Sequence, residues 1–596
     1  MWLQNIIIAV FAPLLLFLIS FVLNRTNFSK RRWLSLINTL LVGVFVSAFF
    51  MFVPIHYASC VKTLAGKAQA VLLSLFNSMQ IFALGCEFAF VDEHLSACPA
   101  ELQIWYRLLA SGLFFFAPIL TFSFVLSLFK NLSEHFKYFC SFFKDIYVFS
   151  ELNEKSLVLA NDIKINHKNA VIVFTDVFKD NEERAYELMA DAEKLRAICF
   201  QKDILAVNFN RHFSKKAISF FVIGYDEAEN LNQSLKLIEK YKMRKYTNLY
   251  VFSTSIESEL LLSFNEKAEI KVRRINEVRS LINRVLYERG EMIFESAQYN
   301  LKGSRDISAV IVGMGRHGTE MVKALSWFGQ MDGYELEINA FDKDPLAKEK
   351  FLALAPELMS DEHNGIFSED DACYKINIHS GIDVNTVSFA DEISKINHAS
   401  YVLVALGNDK ENIGVAVKLR MYFERMNIHP VIQAIVYNSQ QKLALTDIQN
   451  FKKQKYDIDF IGDIESSYVE SVIVDSELEK DALDRHLKWG TEDDFWNYEY
   501  HYRSSVASAI HLKARARCMI PGAGKSDDVL TSEEKNRLDI LEHKRWNAYM
   551  RAEGYIFSGS NDEKSRNDLA KMHHDLVPFS ELKPKEKEKD RKISSQ

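Results

Sequence analysis

The stretch from Ser308 to Asp344 limits what this chain can fold into more than any other. Ala309 to Val312 is a short apolar run of the kind that forms a buried parallel strand. Gly313, Gly315 and Gly318 follow it in G-x-G-x-x-G spacing, where a helical pattern opens. In that order the first glycine permits the tight turn, the second lets backbone approach a pyrophosphate, and the third lets helix and strand pack closely. The anion then sits on the helix N-terminus beside Arg316 and His317. A second apolar run, Leu336 to Phe341, ends in Asp342, an acceptor placed for a ribose 2′-OH, which favours NAD or another adenine nucleotide over a 2′-phosphate.

With 596 residues the chain is too long for one domain, and a prior of about 150 residues per unit predicts roughly four. A net charge of -7 argues against direct nucleic-acid binding. Seven cysteines lie scattered, with neither a CxxC pair nor metal-ligand spacing, so no metal site is expected.

The apolar residues crowd the first 130 positions. Within a membrane domain over 1–135, spans are expected at 6–23, 34–53 and 108–128, each of about 18 to 21 residues with almost no charge. Arg25, Lys30, Arg31 and Arg32 follow the first span and hold that loop in the cytoplasm, which sets the N-terminus outside. The stretch 68–91 is apolar but carries Asn77, Gln80 and Glu87. If it spanned, the nucleotide-binding part would fall outside the cell, so it reads as re-entrant or interfacial. That layout suits a simple cation channel with Glu87 as the pore candidate, although no potassium-filter sequence is present; the alternative is an ordinary anchor. The expected location is the inner membrane, multi-pass, in contact with lipid, with the C-terminal domains cytoplasmic.

From Asp145 onward apolar strands alternate with helical patterns, which predicts α/β units with parallel sheets. The pattern occurs twice, over 145–300 and 306–490. Strands are expected at Ile146 to Phe149, Ala170 to Phe174, Ile218 to Ile223 and Asn248 to Phe252. The second set is Ala309 to Val312, Leu336 to Phe341, Tyr401 to Ala405 and Val431 to Ile435. The best internal match sets Val222-Ile-Gly-Tyr-Asp-Glu-Ala-Glu-Asn230 against Val404-Ala-Leu-Gly-Asn-Asp-Lys-Glu-Asn412. Where the second copy has its glycines, the first has Phe149-Ser-Glu-Leu-Asn-Glu-Lys-Ser156, whose Glu151 and Glu154 would repel phosphate, so the first copy is expected to bind no dinucleotide.

These residues resemble the tandem RCK, or Trk-type N-terminal, domains that regulate potassium channels and transporters. The resemblance implies Rossmann-like folds, and NAD or an adenine nucleotide at Gly313, Gly315, Arg316, His317, Gly318, Asp342, Gly407, Asn408 and Asp409. It also implies a homo-oligomer, dimer or tetramer. Ser380-Gly-Ile-Asp383 is a weaker match to the third-strand turn of that family.

Gly490 to Arg503 and Pro521-Gly-Ala-Gly-Lys-Ser526 separate the sheets from a helical end piece over 525–596. The latter lacks the P-loop spacer and a preceding strand. In that end piece Leu541-Glu-His-Lys-Arg-Trp546, Glu553-Gly-Tyr555, His574-Asp-Leu-Val-Pro578 and Glu586-Lys-Glu-Lys-Asp590-Arg591 resemble the repeat domain of ryanodine receptors. Trp546, Tyr555, Phe557 and Phe579 are expected to wall an aromatic pocket edged by Glu542, His543, Arg545 and Arg591, a composition that suits a base and a phosphate; the alternative is plain core packing with structural ion pairs.

Together these features predict a nucleotide-sensing membrane protein, a ligand-gated channel or a membrane-perturbing effector of stress or antiviral defence. The alternatives are a membrane-anchored NAD-dependent oxidoreductase and a regulatory subunit of a cation transporter. The first would need a placed acid or base, and no His-Asp or Tyr-Lys constellation presents itself, so no catalytic residues are assigned.

Overall fold

The computed structural model describes residues 1–23, 30–60, 62–128, 130–141, 143–179, 182–209, 216–262, 269–451, 456–518 and 529–594, and not every side chain within them. Arg25 and the 521–526 turn lie outside these residues, and of Lys30, Arg31 and Arg32 only the backbone is described. The chain divides into two compact units, Met1–Cys140 and Ser141–Gln596.

The first unit is helical: Trp2–Leu23, Lys30–Ser59, Leu64–Phe82, Phe88–His94, Ala100–Leu128 and Lys130–Cys140. Among the described residues, Thr39–Ser59 and Ala100–Phe122 are long and apolar enough to cross a membrane, and Trp2–Leu15 is a shorter apolar helix. The 68–91 stretch resolves into the helix Leu64–Phe82, a turn at Leu84 with φ of 56°, and the short helix Phe88–His94 capped at Glu87. Leu64–Phe82 is inverted relative to a water-soluble helix. Ser74, Asn77 and Ser78 are buried, with Asn77 hydrogen-bonded to His56 at 3.0 Å, while Leu72, Phe76 and Met79 are exposed.

The second unit holds two parallel-sheet α/β domains. The first sheet comprises β1 (Ile146–Phe149), β2 (Val171–Phe174), β3 (Ile198–Cys199), β4 (Ile218–Val222), β5 (Thr247–Phe252) and β6 (Lys271–Ile275), in the order 3-2-1-4-5-6. In the second, β7 (Gln298–Tyr299) pairs antiparallel with β8 (Arg305–Val312). Beyond it lie β9 (Tyr334–Asp342), β10 (Lys375–Ser380), β11 (Tyr401–Val404), β12 (Val431–Ile435) and β13 (Ile458–Ile461), in the order 10-9-8-11-12-13. The two orders are equivalent, and in each the direction of winding reverses beside the first long strand, which opens a crevice at the carboxyl ends of the strands.

The duplication extends to single hydrogen bonds. Asn230 donates to the carbonyl of Phe252 at 2.9 Å, and Asn412 to that of Ile435 at 2.8 Å. Each also accepts from the backbone of its own turn, from Gly224 at 2.9 Å and Leu406 at 2.6 Å. Asp226 and Asn408 cap the helices that follow. Glu227 and Asp409 accept from the backbone of Thr254 and Tyr437, just past the next strand. The paired motif thus ties each turn to its neighbouring strand.

The C-terminal piece is not a separate globule. It consists of the helix Ser532–Ala552, β14 (Ile556–Phe557) paired with β15 (Met572–His573), and the helix Pro584–Ser594. Leu538, Leu541, Ala548 and Tyr549 share one core with Ile307, Leu325 and Ile338 of the second sheet domain and Ile510 of the intervening helix Glu499–Arg517. Arg551, fully buried, donates twice to Asp371 at 3.2 and 3.1 Å, and Asn547 donates to the same carboxylate at 2.8 Å. Of the stretch expected to separate this piece from the sheets, Phe495, Val506 and Ile510 contribute to this shared core.

Candidate functional site

The three glycines of the second sheet domain have separate physical reasons. Gly313 takes a φ of +97°, and a Cβ there would lie 2.5 Å from the Ala405 carbonyl oxygen. A Cβ on Gly318 would lie 1.8 Å from the carbonyl oxygen of Gly313. Gly315 is different, for a Cβ there would meet nothing within 4 Å. It is the N-cap of the helix Arg316–Phe328 and supplies no side-chain cap, so the first-turn N–H groups are left to whatever occupies the space in front of them.

That space is a cleft of about 660 Å³. Gly313, Gly315, Arg316, His317, Asp342 and Gly407 line it, as does Asp383 of the third-strand turn. Gly407 has a φ of +83° and open space at its Cβ. Asn408 and Asp409 are not among the lining residues. The Asn408 side chain caps the helix Asp409–Arg425, and the Asp409 carboxylate accepts the backbone N–H of Asn438 at 2.9 Å, so both shape the turn from behind. Asp342 accepts from the N–H of Met314 at 2.6 Å and of Asp344 at 2.7 Å, which braces the glycine turn. His317 lies 3.5 Å from the Tyr437 hydroxyl, and burial, with Arg316 beside it, lowers its pKa to about 4, so it is neutral near pH 7.

The opposite wall comes from the first sheet domain, which sequence reasoning assigned no part in the site. Glu154, Lys155, Tyr225 and Thr254 face the glycine turn. Arg316 reaches Glu227 at 3.4 Å. Lys155 is held by Glu277 at 2.9 Å and lies over the rings of Tyr468 and Tyr225 at 5.3 and 5.7 Å. The glycine turn of the first copy is replaced as well. Glu151 is buried, bonded to Lys179, and would block a Cβ at Gly224. The internal match was the available signal, because it sets Tyr225 opposite Gly407, but nothing in a linear sequence says that the two turns face one cleft.

A second cavity, of about 390 Å³, lies where the C-terminal piece meets the helices Glu477–His486 and Glu499–Arg517. Glu542, His543, Arg545 and Trp546 line it; Tyr555, Phe557, Phe579 and Arg591 do not. Tyr555 follows the Gly554 turn and packs 6.0 Å from Tyr500, and Phe579 packs against His543 at 5.8 Å. Arg591 is exposed and pairs with Asp539 and Glu588, both at 3.3 Å. Trp489, Tyr500 and His573 supply the rings instead.

Buried neutral histidines give this unit a pH dependence. Burial is the main cause that lowers His511 and His573 to about 3 and His317 and His486 to about 4. The folded state refuses protons that the unfolded chain accepts below its ordinary value of 6.5. This stability is therefore full above that value and is lost as pH falls toward 4. His543 opposes the trend. Burial disfavours its charge, but Asp590 at 3.1 Å outweighs that and raises it. Net, the melting temperature should fall steadily from about pH 6.5 to 4, and His511→Gln, which can still donate to the Gln330 carbonyl, should flatten the slope. A flat profile in the parent protein would contradict this.

Comparison with known proteins adds no relative: no family model matches the chain, and a search of curated proteins finds no match.

Proposed function

We propose that the chain is a nucleotide-responsive membrane protein whose second, Rossmann-type domain holds NAD or another adenine nucleotide in the interlobe cleft. One observation carries the reading. An uncapped helix N-terminus begins at a glycine whose Cβ space is open, beside the crevice where the strand order reverses. The pyrophosphate lies on the first turn of Arg316–Phe328, and the base lies toward Tyr437 and Gly407. Asp342 takes a ribose hydroxyl by giving up one of its backbone donors. The resemblance to RCK-type domains agrees with this arrangement, and that to the ryanodine-receptor repeat adds a second sensory module.

The first unit is the responding part, a channel or a membrane-perturbing effector assembled as a homo-oligomer in the inner membrane. Support comes from its two long apolar helices and from the inverted face of Leu64–Phe82, which suits lipid outside and polar contacts inside. Reconstituted in liposomes, the protein should pass ions on addition of NAD, ATP or ADP-ribose. Flux unaffected by all three, together with no nucleotide co-purifying by mass spectrometry, would remove the proposal.

The orientation is N-terminus out, with the sheet domains in the cytoplasm. Cys98 and Cys373 are buried, and burial pushes the Cys518 thiol to about 12, so none of these reports well. Cys60 and Cys140 are more accessible. An impermeant maleimide on intact cells should label Cys60 and spare Cys140 until the cells are opened; labelling of both on intact cells would mean that Leu64–Phe82 crosses the membrane.

A further inference from the structure

The two copies finish their equivalent turns in opposite ways. In the first, the helix Glu154–Asn166 is capped by its own chain: the Asn153 side chain accepts from the Ser156 N–H at 2.9 Å, and the Ser156 hydroxyl accepts from the Asn153 N–H at 2.9 Å. Ser150 and Glu151 follow β1 where Gly313 and Met314 follow β8, and both are buried, with Glu151 held by Lys179. That helix N-terminus is closed to phosphate, whereas that of Arg316–Phe328 has no side-chain cap and starts at a glycine with open space at its Cβ. Each chain therefore has one seat for phosphate in a cleft with two walls.

The cleft is longer than that seat. Its lining runs past the carboxyl ends of all six parallel strands of the second sheet domain, from Asp383 beyond β10 to Gly462 beyond β13, which at about 4.8 Å per strand is roughly 24 Å. Phosphates on the first turn of Arg316–Phe328 sit near the middle of that run, so a single nucleoside fills one arm and leaves the other empty. The first sheet domain faces the arm beyond Gly407. Tyr225, 56% exposed, presents its ring there, with Lys155 Nζ 5.7 Å from the centroid and Ile275 and Thr254 in the same wall. Carboxylates outnumber cations in the lining, and Lys155 is matched by Glu277 at 2.9 Å, so this arm suits an uncharged ring and its ribose rather than a third phosphate. The wall is also firmly placed. Leu281 and Ile282 of the helix Glu277–Arg289 belong to the core of the second sheet domain, while Tyr468 and Ile473, from beyond β13, belong to that of the first.

We infer that the first copy is the other half of the site: the cleft takes a pyrophosphate-linked dinucleotide, one per chain, with one nucleoside between Asp342 and Asp383 and the second against Tyr225 and Lys155. On the nucleotide reading of the cleft, on which this rests, the ligand class narrows from adenine nucleotides in general to dinucleotides. A mononucleotide takes the seat and leaves the first-copy wall untouched.

Isothermal titration calorimetry of the full chain in detergent, with NAD, ADP and ATP in the absence of magnesium, provides the test. NAD should bind at one per chain and about tenfold or more tighter than ADP, the usual gain from one stacked ring, and ATP should bind no tighter than ADP. Tyr225→Ala, a change at an exposed position, should bring NAD down to the level of ADP and leave ADP as it was; Tyr225→Phe, which keeps the ring, should bind NAD like the parent. Equal affinity for NAD and ADP in the parent, a second equivalent of NAD, or a Tyr225→Ala protein that keeps its preference for NAD or loses ADP in equal measure would each overturn the inference. Failure of the cleft reading looks different, because Gly315→Val would then bind both NAD and ADP as the parent does.

Discussion

Gly315→Val is expected to weaken NAD and ATP by at least a hundredfold while the unliganded protein melts within a degree or two of the parent. The two halves of that expectation rest on different facts. The Cβ space of Gly315 is empty and its backbone is extended, so the fold accepts a branched side chain there. In the proposed complex the same space is where a pyrophosphate meets the first-turn N–H groups, so the ligand does not fit. Gly318→Ala should behave in the opposite way. A methyl 1.8 Å from a carbonyl oxygen forces helix and strand apart, and the protein should lose stability before any question of binding arises. Thermal-shift titration of both variants separates the cases. If Gly315→Val still binds NAD or ATP with parental affinity, the ligand is elsewhere.

Glu553→Ala should lower unfolding free energy by about 3–5 kcal/mol, the usual result of stripping one partner from a buried charge cluster. Glu553 lies just past the helix Ser532–Ala552. Its carboxylate meets Arg279 at 3.1 Å, Arg503 at 2.8 Å and Lys323 at 3.7 Å. Burial alone would raise its pKa, but these three cations hold it well below the carboxylate range. Arg503 also pairs with Glu259 of the first sheet domain, and Arg279 with Glu320 of the glycine-turn helix at 2.7 Å. Removing Glu553 therefore leaves two buried guanidinium groups short of charge at the point where three parts of the chain meet. Urea unfolding monitored by tryptophan fluorescence measures the loss; a change under about 1 kcal/mol would mean that the cluster relaxes or hydrates.

The sequence made the central strands legible and hid the edges, for a physical reason. Ile146–Phe149 and Tyr401–Val404 are covered on both faces and read as continuous apolar runs. Lys-Val-Arg-Arg-Ile of β6 and Lys-Ile-Asn-Ile-His-Ser of β10 lie at or near sheet edges, are only partly covered, and carry charges and amides that break the run. The glycine turn was readable because Gly313 and Gly318 each answer a local steric demand. Tyr225, Lys155 and Trp489 were not readable as site residues, since their roles arise from the packing of elements far apart in sequence. What the C-terminal piece packs against was not readable for a related reason. An amphipathic helix announces that it has a buried face, never which partner covers it.

A cleft walled by two lobes sorts its ligands by reach as much as by affinity. On the proposed reading, contacts to the glycine turn are made by any nucleotide that seats its phosphates, whereas contacts to Lys155 and Tyr225, on the other wall of the cleft, need a molecule long enough to cross the gap. For any two arrangements of the lobes, only the second kind of contact differs between them, and only a difference shifts a population. Two nucleotides that bind equally tightly can thus be opposites in effect: the longer one an agonist, the shorter one a silent occupant that keeps the agonist out.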